Sequence, residues 1–243
     1  MLIRYILIGC ALVIVGSYLI PIITAIFSFV FELIKVNSKK EKARAEHIKK
    51  LQVREQTEAE LKGSAFETKI RDKILELFPG AKVRQNIIIK NGKFSKEIDL
   101  VALTPIGFIV IEAKNYNNCE IIGNVKEKDW NVVYNEHKKF HLYNPIFQVN
   151  SGVWNIKKHI PNIYLEKAVV FSDNCKLTDS ILKEDCVFTY TSFIDRLMEL
   201  SELETDSYNE TFIEQIDSKL KQIDTVSRNE HIENVKKIRK ANA

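Results

Sequence analysis

Three charged residues in two short apolar segments could do chemistry together. Asp99 lies in the first segment, and Glu112 and Lys114 lie in the second, on the other side of the turn signal at residues 104–107. Both segments are rich in Ile, Leu and Val, so we predict two strands. Side chains alternate across a strand, which puts Glu112 and Lys114 on one face. Two carboxylates and an amine at this place could hold a divalent metal against a phosphate.

Charges at strand ends have a simpler explanation, because many are solvated or protect a sheet edge. In the second segment, however, Ile109 and Ile111 fill one face, while Phe108 and Val110 fill the other as far as Glu112. A strand that is apolar on both faces is typical of a covered strand. Charges that begin where such a strand ends favour a cleft over an open surface.

Length and composition indicate a globular protein. The chain has 243 residues, of which 28% are charged and 45% hydrophobic, and its net charge is +4. This charge permits a nucleic-acid partner but does not require one. The four cysteines show no metal-ligand spacing, so a zinc site and a disulfide framework are not expected, and a reducing compartment fits.

The N-terminus carries a long apolar run. No charged residue occurs from Tyr5 to Phe31, which exceeds the roughly 20 residues needed to cross a bilayer. We predict one transmembrane helix within residues 1–35 and a charged helical stalk at 36–62. Lys and Arg are more frequent after the run than before it, which predicts a cytoplasmic C-terminal side. Nucleic-acid binding is the alternative explanation of this basic cluster.

Two predicted helices carry further candidates. Glu67 shares a face with Ile70 and Ile74 on a helix that we expect to begin near Ser64, and a buried carboxylate there needs a partner or a cation. The alternative is that Glu67 caps the first turn. Gln148 follows Asn144-Pro145, a predicted N-cap with Pro at the first helical position. Gln148 groups with small and polar residues, a pattern that an ordinary solvent-facing side also explains.

The order of these residues resembles a known family. The set comprises Gly63 and Glu67, Glu97-Ile98-Asp99, Ile111-Glu112-Ala113-Lys114-Asn115, Gly123, Trp130, and Asn144-Pro145-Ile146-Phe147-Gln148. It resembles the nuclease-related domain (NERD) family, which is similar to the PD-(D/E)xK restriction-endonuclease-like superfamily. The resemblance covers about residues 60–172. One departure is Ile98, where the superfamily has Pro before the first Asp.

The resemblance implies an α/β fold with a restriction-endonuclease-like core, a mixed central sheet flanked by helices, at residues 63–200. It implies that Asp99 and Glu112 bind Mg²⁺ or Mn²⁺, that Glu67 completes the metal site, and that Lys114 positions water or steadies phosphate charge. Gln148 matches the family's glutamine on the helix after the core hairpin. The helical tail at 201–243 lies outside the resemblance, and we expect it to pack or to form homo-oligomers.

Together these features predict a single-pass, membrane-anchored, metal-dependent nuclease that hydrolyses phosphodiester bonds on the cytoplasmic side. DNA is expected in preference to RNA. The membrane contact is predicted at residues 5–31. The alternative is a non-catalytic module that binds nucleic acid or protein at the membrane and uses the same cleft for binding alone.

Overall fold

The computed structural model describes residues 60–92, 94–202 and 208–241, together with Glu41 and Glu58, but not the side chains of residues 238–241. From residue 60 onward the chain is one compact unit. The predicted transmembrane helix lies outside this description, and so does the predicted stalk apart from Glu41, Glu58 and residues 60–62. Among the described helices, none combines the length and the apolar composition needed to cross a membrane.

Six helices and nine strands make up the described unit. In chain order they are α1 (60–77), β1 (Lys82–Asn91), β2 (Phe94–Thr104), β3 (Gly107–Lys114), β4 (Cys119–Ile122), β5 (Asp129–Asn135), β6 (Lys138–Tyr143), α2 (Pro145–His159), β7 (Glu166–Phe171), β8 (Cys175–Leu177), α3 (Asp179–Leu182), β9 (Val187–Thr189), α4 (Tyr190–Ser201), α5 (Glu210–Ile223) and α6 (Arg228–Ala241).

The strands form two mixed sheets. The first has the order β1-β2-β3-β7-β9, with β1, β2 and β3 antiparallel and β3, β7 and β9 parallel. The second has the order β6-β5-β4-β8, in which β4 and β8 are parallel. The mixed α/β class and the two strands around the 104–107 turn are therefore confirmed. The separate second sheet was not predicted.

Both faces of the first sheet are covered. Ile70 and Ile74 of α1 pack with Ile111 on one face, where α4 also contributes to the core. Val149 of α2 packs with Val110 on the other face, where α5 contributes as well. Neighbouring residues of β3 thus belong to different cores. This arrangement confirms that β3 is apolar on both sides because both sides are buried.

Asn144 fixes the start of α2. Its side-chain oxygen accepts from the backbone N–H of Ile146 at 2.9 Å, which confirms the predicted N-cap followed by Pro at the first helical position. The Asn144 side-chain nitrogen donates to the carbonyls of Val125 and Glu127. One buried side chain therefore joins the first turn of α2 to the loop between β4 and β5.

Trp130 joins the two sheets. Its ring lies 6.4 Å from the Phe171 ring, centroid to centroid, and is nearly parallel to it. Its indole N–H donates to the carbonyl of Asn124 at 2.8 Å. A Cβ at Gly123 would lie 2.3 Å from the Trp130 ring, so the indole occupies the space that any larger residue would need.

Helix α5 packs on β1. Arg84 donates two hydrogen bonds to Asp217, with Nε to Oδ1 at 2.5 Å and Nη2 to Oδ2 at 2.7 Å. Ile213, Ile216 and Leu220 join the same core as α2. The C-terminal segment therefore contributes to the compact unit that holds the site.

Candidate active site

A break in the side-chain alternation of β2, where it pairs with β1, determines the position of the Asp99 side chain. Ile98 packs in the core beneath α2, and so does Val101, while Leu100 packs in the opposite core beneath α1. A regular strand would put Ile98 and Leu100 on the same face, because side chains alternate. The strand therefore changes face at Asp99. Opposite this point, Asn86 of β1 has a left-handed backbone with φ of 54°, which Asn tolerates better than most residues.

The Asp99 carboxylate replaces a backbone hydrogen bond between β2 and β3. The β2–β3 ladder has Leu100 opposite Ile111 as its last pair on this side. Beyond that pair, Asp99 Oδ2 accepts a hydrogen bond from the backbone N–H of Ala113 at 2.8 Å. The strands diverge at this point, and the carboxylate lies between them beside Glu112 and Lys114.

Glu112 and Lys114 form an ion pair on one face of β3. Lys114 Nζ lies 2.6 Å from Glu112 Oε1, and their side chains are only 15% and 4% exposed. The i, i+2 spacing on a strand explains their common face, as the sequence predicts. The pair lies at the carboxyl end of β3, where its partner strand β7 runs parallel and ends at Phe171.

Burial and mutual repulsion shift the protonation equilibria in this cluster. Loss of solvent around Asp99, followed by repulsion from Glu112, raises the pKa of Asp99 from 3.8 to about 7. Burial lowers the pKa of Lys114, but attraction to Glu112 and Asp99 outweighs it, so that pKa lies above its ordinary value. The amine is therefore charged at neutral pH, and one of its two carboxylate neighbours binds a proton readily.

Glu67 approaches this cluster from α1. It lies well inside the helix, which already covers residue 60, so the expected start near Ser64 and the first-turn cap are both wrong. Desolvation is the main cause of a raised Glu67 pKa, while a hydrogen bond from the Asn86 side chain opposes it and Glu112 lies close enough to raise it further. Glu67 Oε2 is buried without a hydrogen-bond partner. This oxygen could accept from a ligand or bind a cation.

Gln148 lies on the side of α2 that faces the first sheet. One turn later, a Cβ at Gly152 would contact Val110 at 3.3 Å and Ile98 at 3.4 Å, and Asn155 is 1% exposed. The alternative that this side of α2 faces solvent is therefore wrong. From β3 the chain passes through β4, β5 and β6 to the first turns of α2, and α2 leads into β7, which is parallel to β3. Gln148 is partly buried in these turns.

Comparison with known proteins identifies the part of the chain that carries this cluster. Residues 62–172 match the family model described as the nuclease-related domain (NERD). These residues form a nuclease-related domain. The match begins inside α1 and ends directly after β7, so it includes the five residues Glu67, Asp99, Glu112, Lys114 and Gln148.

Other comparisons add little. No curated protein matches the chain. A crystal structure of a protein of unknown function, AF1548, is similar at 16% identity, with 74% of this chain and 97% of that chain covered and a TM-score of 0.33.

Two further residues of the nuclease-related domain lie at the site, and the sequence alone did not identify them as site residues. Asn86 donates to Glu67, and Glu97 lies close enough to raise the pKa of Glu67. From outside the domain, Arg228 of α6 lowers the same pKa through its positive charge, and His231 Nε2 lies 3.6 Å from Glu97 Oε2. Asn86 directly follows Arg84 and Gln85 in β1, so its polar side chain gives no distinct signal in the sequence. No local signal points to α6, because its position depends on tertiary packing.

The carboxylate oxygens at this site are suitable ligands for a hard cation, although the side chains alone do not enclose one. Within the described parts of the chain, no three side chains of His, Cys, Asp or Glu converge so that they could hold a metal ion. Mg²⁺ commonly uses only one or two carboxylates and takes its remaining ligands from water and substrate phosphate. The buried Glu67 Oε2, which has no hydrogen-bond partner, and the carboxylates of Asp99 and Glu112 are oxygen donors of this kind.

Proposed function

We propose that the nuclease-related domain hydrolyses phosphodiester bonds of nucleic acid with the help of Mg²⁺ or Mn²⁺. The observation that supports this most directly is the juxtaposition of a buried Glu112–Lys114 ion pair with Asp99 at the point where β2 and β3 separate. Charges of both signs at this depth are costly to bury. A bound phosphate would interact with the positive amine of Lys114, and its cation would interact with the negative carboxylates.

The residues divide the chemistry in a simple way. Asp99 and Glu112, with Glu67 beside them, would hold the cation. When bound, the cation would neutralise phosphate charge and lower the pKa of a coordinated water. The Lys114 amine would donate to a non-bridging oxygen of the phosphate or to the attacking water, since its raised pKa keeps it charged. Gln148 would contribute an amide from α2 to the same space.

We further propose DNA as the substrate and the inner face of the cell membrane as the location. The apolar run at residues 5–31, with more basic residues after it than before it, supports the anchor and its orientation. The net charge of +4 is compatible with a polyanionic partner. The C-terminal helices remain candidates for homo-oligomer formation through their outward-facing sides.

Cleavage by the full-length chain in detergent tests this proposal. Single-stranded, duplex and branched DNA, and RNA of the same sequence, would be incubated with Mg²⁺, Mn²⁺ or EDTA. We expect metal-dependent cleavage that Asp99→Asn and Lys114→Met each reduce at least 100-fold. Asp129→Asn, at the exposed start of β5, is the matched control and should cleave normally. Cleavage that persists in both site variants would show that a contaminant is responsible.

Metal titration separates catalysis from binding alone. Isothermal calorimetry of the full chain should show uptake of Mn²⁺ that Asp99→Asn weakens. If the chain binds DNA but takes up neither Mg²⁺ nor Mn²⁺, the non-catalytic binding module becomes the better description of this domain.

A further inference from the structure

An open pocket lies at one end of the second sheet. Its volume is about 710 Å³, and its lining includes Asn118, Tyr134, Asp173, Asn174 and Lys176. It is formed where β4, β5 and β8 meet the two loops that follow β3 and β7. None of the candidate active-site residues lines it. The pocket is therefore a separate feature of the same unit.

The pocket lies close to the active site along the chain and in space. The stretch that follows Lys114 in β3 leads through Tyr116 to Asn118 at the pocket. Ser172, directly after β7, donates through its hydroxyl to the carbonyl of Tyr116, and its N–H donates to the carbonyl of Lys114 at 3.0 Å. These bonds hold the short connection in place. A ligand that spans both places would need to be only a few residues or nucleotides long.

One aromatic ring lines the pocket, and a second ring contacts the first. Tyr134 lines the pocket, and its ring lies 6.0 Å from the Phe140 ring at 83°. Lys138 Nζ lies 4.9 Å from the Tyr134 centroid and 5.8 Å from the Phe140 centroid. Phe140 is 52% exposed. Tyr134 is partly buried, so Phe140 is the exposed ring of this pair. An exposed ring beside an amine is a group on which an unpaired base can stack beside its phosphate.

The charges of the lining argue against a site for a free anion. Asp173 accepts from the backbone N–H and hydroxyl of Thr191, and Lys176 pairs with Glu120 at 3.3 Å. The carboxylates thus outnumber the lysine. Asn118 and Asn174 add amides, which can donate to and accept from the edge of a base. A neutral, planar ligand with several hydrogen-bonding groups fits this lining better than a phosphate does.

We propose that this pocket, together with Tyr134, Phe140 and Lys138, binds an unpaired nucleobase of the strand whose phosphate lies at Lys114. This inference rests on the proposed function and names its substrate as single-stranded or locally unpaired nucleic acid. A base within a duplex is already stacked and paired, and extracting it costs a few kcal/mol. The pocket would therefore select strands in which that cost is absent.

Binding in the presence of EDTA tests the pocket without cleavage. The full-length chain would be titrated with fluorescein-labelled oligo(dT) and with a duplex that contains the same strand. We expect the single strand to bind more tightly, and Phe140→Ala and Tyr134→Leu each to weaken its binding about tenfold. Tyr143→Ala is the matched control, because Tyr143 is 45% exposed on the same strand, three residues from Phe140 and thus on the opposite face.

A base analogue adds a direct readout. Oligo(dT) with one 2-aminopurine should lose fluorescence on binding to the parent chain, because the base stacks on a ring, and should lose less with Phe140→Ala. Equal effects of Phe140→Ala and Tyr143→Ala, equal affinity for single strand and duplex, or no binding of oligo(dT) would each overturn the inference. Failure of the proposed function would appear differently, as intact base binding in EDTA without cleavage when metal is added.

Discussion

The carboxylate of Asp99 accepts a hydrogen bond from the backbone N–H of Ala113 at 2.8 Å, in place of a further pair in the β2–β3 ladder. A side chain thus satisfies a backbone donor where two strands separate. The bond orients Asp99 before any ligand arrives, and it does so next to a buried Glu112. The cluster is therefore preorganised, and it is also electrostatically unfavourable when no cation is present.

We predict that Asp99→Asn stabilises the metal-free protein at alkaline pH, although it reduces cleavage at least 100-fold. Burial and Glu112 raise the pKa of Asp99 to about 7, above its ordinary 3.8. Below pH 4 Asp99 is protonated in both the folded and the unfolded state, so its ionisation does not reduce the free energy of unfolding. As pH rises towards 7 the unfolded state ionises first and stability falls. The difference between the two pKa values corresponds to about 4 kcal/mol, which is the upper limit of the stability that Asp99→Asn can add.

Urea denaturation in EDTA at pH 4 and pH 8 measures this effect. The difference between Asp99→Asn and the parent chain should be small at pH 4 and should grow as pH rises through 7. Asp129→Asn should show no such trend, because Asp129 is exposed at the start of β5. A gain that is the same at both pH values would contradict the assigned cause.

We predict that Lys114→Met is destabilising and that a second substitution repairs it. Lys114 pairs with Glu112 at 2.6 Å, and both side chains are largely buried. Removal of the amine leaves a buried carboxylate without its cation, which costs roughly 3 kcal/mol. Glu112→Gln in the same chain removes that charge and should recover most of the loss. Denaturation of the single and double variants gives the coupling energy, and a coupling near zero would contradict the pairing.

The sequence predicted the elements that carry the site more reliably than the contacts between them. Alternation of Ile and Val around Glu112 predicts a covered strand, and the structure places that strand between two helical layers. Asn144 and Pro145 predict the start of α2 because capping is local chemistry. Glu67 follows from helical periodicity in the same way.

The face change at Asp99 could not be read from the sequence. Its cause is the joint conformation of Asn86 and Asp99 on two paired strands, and a local pattern contains no information on such a pair. Small residues on α2 were ambiguous for a related reason. Gly152 allows close contact with Ile98 and Val110, but a sequence shows only that the residue is small. The position of α6 near Glu67 depends on tertiary packing alone.

We predict that Gly123→Ala destabilises the protein strongly. The added Cβ would lie 2.3 Å from the Trp130 ring, so either the indole or the β4 end must move. Trp130 is fully buried and stacks on Phe171, so such a shift costs about 2 kcal/mol or more. Gly63→Ala is the control, because it lies in α1 with nothing within 4 Å and should gain roughly 0.5–1 kcal/mol. Thermal denaturation of both variants measures the contrast, and equal melting temperatures would refute it.

We predict that Asp217→Asn loosens the attachment of α5 to β1. The Asp217 side chain is 1% exposed and accepts two hydrogen bonds from Arg84, which hold the pKa of Asp217 below its ordinary value. Its stabilising contribution is therefore present above pH 4 and is lost as pH falls through the folded-state pKa. Asn keeps the shape but leaves Arg84 without its anion, at a cost of roughly 3 kcal/mol near neutral pH.

The exposed pair of Lys82 and Glu214, one turn away on the same two elements, supplies the control for Asp217→Asn. Its atoms lie 3.1 Å apart with side chains 43% and 52% exposed, so Glu214→Gln should cost less than about 1 kcal/mol. Urea denaturation at pH 7 compares the two variants. If the two variants lose the same free energy of unfolding, burial does not strengthen the Arg84–Asp217 ion pair. In that case α5 is held to the first sheet by its apolar residues alone.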